Sequence, residues 1–435
     1  MRVPFTKTTL PNGLDVIVHE DRRVPLVAVN VWYHVGSKQE QPGRTGLAHL
    51  FEHLMFEGSA HQPSGYFEPL QRAGAAVNGS TSADRTNYWE TVPAEAARLA
   101  LWMEADRMGW MLPALTAARF ETQRGVVINE RRQSYENRPY GLAQFALLHA
   151  LFPDDHPYHW PTIGQVPDLQ QATLDDAQAF FARFYHPGNA SLVVAGDIAT
   201  GEAMALAADF FGEIPAGPPI EPVTPPTLSP TAARLVLADR VELPRLYVAW
   251  HSPALAADGD AELDLAADVL ANGRTSRLYR RLIFDERVAS DVTAAQGSRE
   301  LGGTFQVVAT AAPGRTLDEL HRAIVEEVER LGAGGPDDAE LERGRAQAEA
   351  AFVYRLQSLG GFGGKADQLN AYNTYFGDPD GFERDLARYL DATAETIRTA
   401  TAASLDPAAA VALSVVPLGQ EALALPGSVP APAGL

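Results

Sequence analysis

A proline-rich segment near the middle of the chain limits the folds that this sequence can adopt. Prolines recur through EIPAGPPIEPVTPPTLSPTAAR, residues 213–234. Proline lacks a backbone N–H donor and fixes φ, so the segment favours an extended connection over helix or sheet. It divides the 435 residues into nearly equal halves, each long enough to bury its own core. We predict an N-terminal domain over 1–214, a linker over 215–232, a C-terminal domain over 233–421 and a flexible tail over 422–435.

The two halves follow a similar pattern, which indicates an internal duplication. Aligning LAHLFEHL in the first half with LAADVLANG in the second places His49 on Asp268. Aligning FYHPGN with SLDPAA places His186 on Asp406, and the two spacings agree to within one residue (186 − 49 = 137 and 406 − 268 = 138). The second copy therefore keeps the helix but lacks the histidines of the first.

Each half begins with alternating apolar and polar residues, which predicts β-strands. Examples are LDVIVHED and LVAVNVWYHVG in the first half and RLVLADRVELPRLYVAWH in the second. Helical periodicity follows at 46–57, 64–73, 93–108 and 116–137, and LVVAGD then predicts another strand. Because strands and helices do not alternate strictly, we predict an α+β fold. Its two homologous domains would each be a largely antiparallel sheet with helices packed on one face.

Composition excludes several classes of function. The net charge of −20 disfavours nucleic acid as a partner, because binding phosphates requires surplus Lys and Arg. No apolar run is long enough to span a membrane, and the start lacks the apolar core of a signal peptide. We therefore expect a cytoplasmic protein, or a periplasmic one if a signal has been removed. The glycine-rich SLGGFGGKADQL lacks the G-K-[ST] ending of a phosphate-binding loop and predicts a flexible turn.

Two histidines and a glutamate share one helical face in HLFEH, residues 49–53. At about 100° per residue, His53 lies about 40° from His49, and Glu52 lies about 60° to the other side. Apolar neighbours bury this helix. Burying two histidines and a carboxylate costs several kcal/mol unless they bind each other or a metal ion. The alternative is a polar stripe that stays partly exposed.

A hydrolytic zinc ion needs three protein ligands and one open position. The chain has no cysteine, so the ligands must be nitrogen and oxygen atoms. Glu130 follows Val126 by four residues and Val127 by three, where the helical period calls for an apolar side chain. It is the candidate third ligand, and the alternative is a surface glutamate paired with Arg131 or Arg132.

Together these motifs resemble those of the inverzincin zinc peptidases. H-x-x-E-H followed by a glutamate 77 residues after its last histidine (130 − 53 = 77) is similar to the pitrilysin, insulin-degrading enzyme and mitochondrial processing peptidase family. TLPNGL, AAVNGSTSADRTNYWE and FYHPGNASLVVAGD add to the resemblance. It implies a metalloendopeptidase with one Zn²⁺ per chain, held by His49, His53 and Glu130, and with Glu52 as general base. It also implies cleavage of peptides or unfolded segments within a closed chamber.

The resemblance further implies a substrate-binding edge strand. AAVNGSTSADRTNYWE matches that strand, so Asn78, Gly79 and Ser80 are expected to pair with an extended peptide through main-chain hydrogen bonds. Phe56 is expected either to wall the adjacent pocket or to belong to the core. Many family members have a glutamate where this chain has Gln123, so the charge beside the metal is expected to differ.

A second departure from the family lies in the C-terminal half. Active members have an Arg and a Tyr seven residues apart in the degenerate half that closes over the zinc, whereas LYRRLIFDERVAS places Ile283 and Ser290 there. We therefore expect a heterodimer in which a paralogous subunit supplies the pair, with a homodimer as the alternative. Activity of the single chain would assign the role to Arg281, Arg287 or Tyr279. The rival function is a noncatalytic structural or core subunit.

Overall fold

A computed structural model of the protein describes residues 2–229 and 232–432. Residues 230 and 231 of the predicted linker and 433–435 of the predicted tail lie outside the described residues. The chain forms two compact units. The first comprises the segment up to Glu130, Trp160–Val223 and Phe352–Arg384, and the second comprises the rest. Each unit therefore contains a segment from the other half of the sequence. The domain boundaries predicted above follow the sequence duplication and stay a prediction.

The strands are, in chain order, β1 (Thr6–Thr9), β2 (Asp15–Glu20), β3 (Leu26–Tyr33), β4 (Ala76–Thr81), β5 (Thr86–Pro93), β6 (Ala190–Gly196), β7 (Ala233–Asp239), β8 (Arg245–Ser252), β9 (Ala289–Gly297), β10 (Gly303–Ala311), β11 (Val411–Pro417) and β12 (Val429–Pro430). The helices are α1 (Leu47–Leu54), α2 (Phe67–Arg72), α3 (Ala97–Ala114), α4 (Ala117–Arg131), α5 (Ala143–Leu151), α6 (Val166–Gln171), α7 (Leu174–Phe184), α8 (Thr200–Phe211), α9 (Asp260–Ala271), α10 (Arg277–Tyr279), α11 (Leu317–Gly334), α12 (Asp338–Arg355), α13 (Lys365–Phe376), α14 (Phe382–Asp391) and α15 (Ala394–Ser404).

The first unit is built on a sheet with the strand order β1-β2-β6-β3-β5-β4. Its neighbouring strands are antiparallel except for the parallel pair β2 and β6. Strand β3 lies in the interior of the sheet and is buried along nearly its whole length. Both faces of the sheet are therefore covered. Strand β4 lies at an open edge.

The second unit has the strand order β12-β7-β11-β8-β10-β9 and repeats this topology except at its outer strand, since β12 is parallel to β7 whereas β1 is antiparallel to β2. The parallel pair β7 and β11 corresponds to β2 and β6. Short 3₁₀ turns at Pro187–Asn189 and Pro407–Ala409 precede β6 and β11, in agreement with the aligned prolines. The predicted α+β fold with two homologous, largely antiparallel domains is confirmed.

A helix from the opposite half of the sequence covers one face of each sheet. Helix α13 packs on β3 and β6 of the first sheet. There Ala366 and Leu369 join a core that contains Ile17, Ala28 and Val193. In the second unit, helix α5 from the first half packs on β8 and β11. The sequence predicted helices on only one face of each sheet, whereas α13 and α5 cover the other face.

The glycine-rich segment before α13 forms a turn between two helices, as predicted, and it packs closely against the first sheet. A Cβ atom at Gly360 would lie 2.3 Å from Thr91 Oγ1 and 2.8 Å from Ala28 Cβ. The backbone can approach the sheet this closely only because glycine has no side chain.

Two further elements differ from the predictions in extent. The helix predicted over 116–137 is regular up to Arg131 and continues as a π-helical turn, Arg132–Glu136. The segment predicted as a flexible tail contains β12, which pairs in parallel with β7, and a buried Leu425. This pairing gives backbone groups near the end of the chain hydrogen-bond partners. Among the described residues, no helix has the length and apolar character to cross a membrane.

Candidate metal centre

Helix α1 presents the polar face of HLFEH because its apolar side chains are buried. Leu50, Phe51 and Leu54 are almost completely inaccessible to solvent. The helix begins after Gly46, whose φ of 93° lies in the left-handed region that favours glycine. The carboxylate of Glu40 accepts hydrogen bonds from the backbone N–H groups of Gly46 and Ala48 at 2.9 and 2.8 Å, which satisfies donors that every helix start leaves free. Burial raises the pKa of Glu40 to about 8, although these hydrogen bonds act to lower it.

Helix α4 brings Glu130 to the two histidines. Phe120 and Val127 are buried on this helix, whereas Val126 is 41% exposed. The buried stripe therefore runs through Val127 to Glu130 and does not include Val126. Glu130 contacts His49 and His53, and Arg131, one of the two arginines of the alternative, pairs with Glu136 at 3.0 Å.

The ligand atoms of His49, His53 and Glu130 lie within 4.8 Å of one another. The Nε2 atoms of His49 and His53 are 3.8 and 3.2 Å from Glu130 Oε2. Bonds of about 2.0–2.1 Å to a tetrahedral zinc ion place two ligand atoms about 3.3 Å apart. The observed distances bracket this value, so the three residues fit a zinc ion that retains one open position.

Burial and charge set the protonation of this group. Burial and the neighbouring His53 lower the pKa of His49 to about 4. Burial also disfavours the charged form of His53, but Glu130, Glu52 and the side chain of Gln123 together raise its pKa. The hydrogen bond with His53 lowers the pKa of Glu130. A neutral imidazole and an anionic carboxylate at neutral pH are the ligand forms that zinc requires.

Glu52 lies on the same helix but outside the three-residue cluster. Its Oε2 accepts a hydrogen bond of 2.6 Å from Thr81 Oγ1 on β4. Burial raises the pKa of Glu52, although the hydrogen bond from Thr81 and the charges of His53 and Arg85 oppose the shift. A carboxylate that is more basic than usual and is held in place by one donor is suited to accept a proton from water.

Gln123 lies beside the cluster, seven residues before Glu130. Its Nε2 donates to Glu57 Oε1 at 2.5 Å. This carboxylate partner of Gln123 was not predicted from the sequence.

The predicted substrate strand is β4, at the open edge of the first sheet. Asn78, Gly79 and Ser80 lie on it in register with β5. A Cβ atom at Gly79 would lie 3.1 Å from the ring of Phe56. Phe56 stacks on Phe67 with ring centroids 4.5 Å apart. Phe56 also lines a cavity of about 510 Å³, together with Tyr66, Phe67, Glu68, Gln71 and Arg72.

Comparison with known proteins assigns the family. Residues 15–165 match the family described as insulinase (peptidase family M16), and residues 171–348 match the family described as the peptidase M16 inactive domain. The zinc protease PqqE of Helicobacter pylori is 30% identical over 356 residues, which cover 80% of this chain and 80% of that protein. The chain belongs to peptidase family M16.

Two solved structures of M16-like chains share the fold. A protease from Helicobacter pylori covers 96% of this chain and 100% of its own, with 25% identity and a TM-score of 0.86. The periplasmic protease PqqL from Escherichia coli covers 98% of this chain with a TM-score of 0.79, at 19% identity. Only 50% of the PqqL chain is matched, so this M16 chain corresponds to half of that fold.

The second unit lacks a free cation at the positions where the M16 resemblance implied one. Ile283 packs against the second core, and Ser290 Oγ donates to the Thr310 carbonyl at 3.3 Å. Arg281 is close in sequence, but it is held by Glu286 at 2.6 Å, and also by Glu326 at 2.5 Å and Glu327 at 3.0 Å. Three carboxylates therefore engage one of the two guanidinium groups that could have replaced the missing arginine, whereas the other, that of Arg287, is exposed.

Sequence analysis missed three residues that support the site. Glu40 caps α1, Thr81 holds Glu52, and Glu57 binds Gln123. Of these, only Glu57 had a local signal, because it follows His53 by four residues within the helix predicted over 46–57, although α1 itself ends at Leu54. The contacts of Glu40 and Thr81 depend on how the chain folds around α1, which no periodicity indicates.

Proposed function

We propose that this M16 chain is a zinc-dependent endopeptidase that hydrolyses peptides or unfolded polypeptide segments. The observation that supports this proposal best is the convergence of His49, His53 and Glu130, with the basic Glu52 on the same helix. Three nitrogen and oxygen ligands with an open position are typical of catalytic zinc, whereas structural zinc sites have four protein ligands.

Different residues of the chain would hold the zinc ion and transfer the proton during peptide hydrolysis. When bound, Zn²⁺ supplies a Lewis acid that polarises a carbonyl and lowers the pKa of water toward about 7. His49, His53 and Glu130 hold it. Glu52 accepts the proton of the attacking water and then passes it to the amine that leaves. The hydrogen bond from Thr81 fixes the carboxylate during both transfers.

An extended peptide would bind at β4. An open strand edge presents backbone N–H and C=O groups that can pair with a further strand. Asn78, Gly79 and Ser80 would form this pairing, which holds a peptide by its main chain and reads its sequence only loosely. Phe56 and the adjacent cavity would accommodate one apolar side chain.

A paralogous subunit would complete the enzyme, giving a heterodimer in which this chain carries the zinc. Ile283 and Ser290 stand where a cation and a phenol are expected, and Arg281 is occupied by three carboxylates. The match to half of the PqqL chain supports an assembly of two such chains around a closed chamber. In a homodimer, both subunits would lack the Arg and the Tyr.

Exchanging the general base tests the catalytic part of the proposal. Glu52→Gln removes the proton acceptor but no metal ligand, so we expect about one zinc per chain and cleavage reduced by about 10²–10⁴-fold. Zinc would be measured by elemental analysis, and cleavage with a quenched fluorescent peptide. Glu95→Gln changes an exposed glutamate as the control. Normal turnover by Glu52→Gln would contradict the mechanism, and zinc without cleavage in every assembly would favour the noncatalytic subunit.

Reconstitution tests the partner. Alone, the chain should bind zinc but cleave peptides poorly, because nothing steadies the oxyanion of the transition state. Co-expression with an M16 subunit that has a degraded H-x-x-E-H and an Arg and Tyr seven residues apart should restore cleavage. Replacing that Arg or Tyr should abolish it again. Full activity of the purified single chain would refute the heterodimer.

A further inference from the structure

A ring of side chains joins the candidate substrate strand to helix α13 on the face of the first sheet that this helix covers. Its members are Asp367 on α13, Asn87 on β5, Ser80 on β4, Arg85 in the turn between these two strands and Trp32 on β3. Asp367, Asn87 and Trp32 are buried, whereas Ser80 and Arg85 are half-buried. The ring therefore ties an edge strand of the first half of the sequence to a helix of the second half.

Three hydrogen bonds run through the ring in one direction, from the cation to the anion. Arg85 Nη1 donates to Ser80 Oγ at 2.7 Å, and Ser80 Oγ donates to Asn87 Oδ1 at 2.7 Å. Asn87 Nδ2 then donates to Asp367 Oδ1 at 3.0 Å. A guanidinium only donates and a carboxylate only accepts, so the charged ends fix the orientation of the hydroxyl and the amide between them.

Trp32 closes the ring. Its Nε1 donates to Asp367 Oδ1 at 2.8 Å, and the guanidinium carbon of Arg85 lies 5.1 Å from the centroid of the Trp32 ring. The second carboxylate oxygen, Asp367 Oδ2, accepts from the backbone N–H of Gly363 at 2.8 Å. Without Asp367, the buried donors of Trp32 and Asn87 would lose their acceptor, which is costly. The order of the whole ring therefore depends on this one carboxylate.

Strand β4 needs such a tie because it has a neighbouring strand on one side only. Ser80 and Thr81 are consecutive, so their side chains point to opposite faces of the sheet. The ring holds Ser80 on one face, and Thr81 Oγ1 donates to Glu52 Oε2 at 2.6 Å on the other. A rotation of the strand that displaced Ser80 would therefore also displace the donor that holds Glu52.

We propose that Asp367 is a positioning residue for the general base. It acts through Asn87 and Ser80 to fix the end of β4, from which Thr81 holds Glu52. The inference rests on the role given to Glu52 in the proposed function. It gives the C-terminal half of the sequence a part in catalysis that is separate from the Arg and Tyr which that half lacks.

A double-mutant cycle tests whether Asp367 and Ser80 act on the same element. Asp367→Ala removes the final acceptor, and Ser80→Ala breaks the ring at β4. We expect each change to lower kcat about tenfold and to alter KM less than about twofold, because a small misplacement of a catalytic group slows the reaction without removing a binding contact. The double variant should also lose about tenfold, whereas independent sites would lose about 100-fold.

Asn373→Ala is the matched control. Asn373 is also buried on α13, but it donates to Ser191 at 2.9 Å and to Asp15 at 3.0 Å, on β6 and β2. Its loss removes buried hydrogen bonds of the same helix far from β4, so kcat should stay near that of the wild type. Ser80→Thr keeps the hydroxyl and should retain most of kcat.

Amide hydrogen exchange provides a readout that does not use turnover. In the full-length chain with zinc, followed by mass spectrometry, Asp367→Ala and Ser80→Ala should each speed exchange in β4, and the double variant should speed it no further. Asn373→Ala should leave exchange in β4 unchanged. The values of kcat would be measured in the reconstituted assembly that cleaves peptides.

Losses of kcat that multiply in the double variant would overturn the inference. So would unchanged exchange in β4 or unchanged kcat in either single variant, or an equal effect of Asn373→Ala. Ser80→Ala changes a half-buried side chain and keeps the test decisive if Asp367→Ala does not fold. Coupled exchange in a chain that cleaves nothing in any assembly would refute only the proposed catalysis.

Discussion

Gly79 shows how one absent side chain shapes the candidate substrate strand. A Cβ atom there would lie 3.0 Å from Tyr88 and 3.1 Å from Phe56. These distances are shorter than ordinary van der Waals contact, so any side chain would displace the Phe56 ring from its stack on Phe67. Glycine therefore lets the edge strand lie directly against the aromatic wall.

Substituting Gly79 tests whether this wall receives substrate. Gly79→Val should overpack the contact by about 1–3 kcal/mol and turn the Phe56 ring into the cavity. We expect kcat/KM for peptides to fall at least about tenfold, mainly through KM, while zinc content stays near one per chain.

A valine at the exposed start of the same strand is the matched control. Ala76→Val places the same side chain on β4, three residues before Gly79, and this variant should cleave normally. Unchanged kcat/KM in Gly79→Val would mean that Phe56 belongs to the core and does not contact substrate.

The shared face of His49 and His53 could be predicted because spacing within a helix determines direction, whereas the approach of Glu130 to them was implied by the family resemblance. Residues four apart share a face, and an acid on an apolar stripe needs a partner. Glu57 and Thr81 could not be assigned in the same way, because their contacts join elements that are distant in sequence. The sequence contains both residues, but only the fold shows what each one binds.

Helix α9, the counterpart of α1, carries three acids spaced four residues apart, and one of them, Asp268, aligns with His49. Asp260 pairs with Arg388 at 2.9 Å. Asp264, four residues later, accepts a hydrogen bond of 2.6 Å from Tyr389. Burial, with the charges of Asp260 and Asp268, raises the pKa of Asp264 to about 7. This degenerate copy therefore holds a buried acid that keeps its proton near neutral pH.

This raised pKa makes the stability depend on pH. The unfolded chain releases the Asp264 proton near pH 3.9 and the folded chain only near 7, so stability falls as pH rises between these values. Asp264→Asn cannot ionise and still accepts from Tyr389. We expect its free energy of unfolding, relative to wild type, to rise by about 1–3 kcal/mol from pH 5 to pH 8, as measured by urea denaturation.

An exposed acid on the preceding turn provides the control. Asp258→Asn should show the same difference from wild type at both pH values. If the difference between Asp264→Asn and wild type were also the same at both pH values, the buried, protonated Asp264 would not contribute to the pH dependence of stability.

The elements themselves could largely be predicted, but their partners could not. Alternation identified β2, β3, β7 and β8, and helical periodicity identified α1 to α4, although α3 continues six residues past its predicted end (114 − 108 = 6). Nothing in those patterns showed that α13 covers the first sheet and α5 the second. Periodicity reveals that a face is apolar and leaves open which segment buries it.

The exchanged helices tie the two halves of the chain together. Asp367 on α13 accepts from Trp32 Nε1 at 2.8 Å and from Asn87 Nδ2 at 3.0 Å, and Asn370 donates to Asn30. These hydrogen bonds are buried within the first unit. Each unit is formed mostly by one half of the sequence but needs a helix from the other half to be complete.

Cutting the proline-rich segment tests this connection. A protease site introduced between residues 218 and 226 should give two fragments that stay together in gel filtration and separate only in denaturant. Each fragment supplies a helix to the other, which buries apolar surface. Ala366→Asp with Leu369→Asp should loosen the cut pair, because both side chains are buried against the first sheet. Fragments that separate without denaturant would contradict this expectation.

The placement of α13 also has a consequence in time. The last strand of the first sheet ends at residue 196 and α13 ends at residue 376, so the ribosome must add another 180 residues (376 − 196 = 180) before the sheet can be covered. At about 5–20 residues per second, this takes about 10–40 s. During that interval Ile17, Ala28 and Val193 form an exposed apolar face on a nascent chain, and such a surface aggregates or binds a chaperone. The sheet of the first unit is therefore synthesised early but is among the last parts of the molecule to be covered.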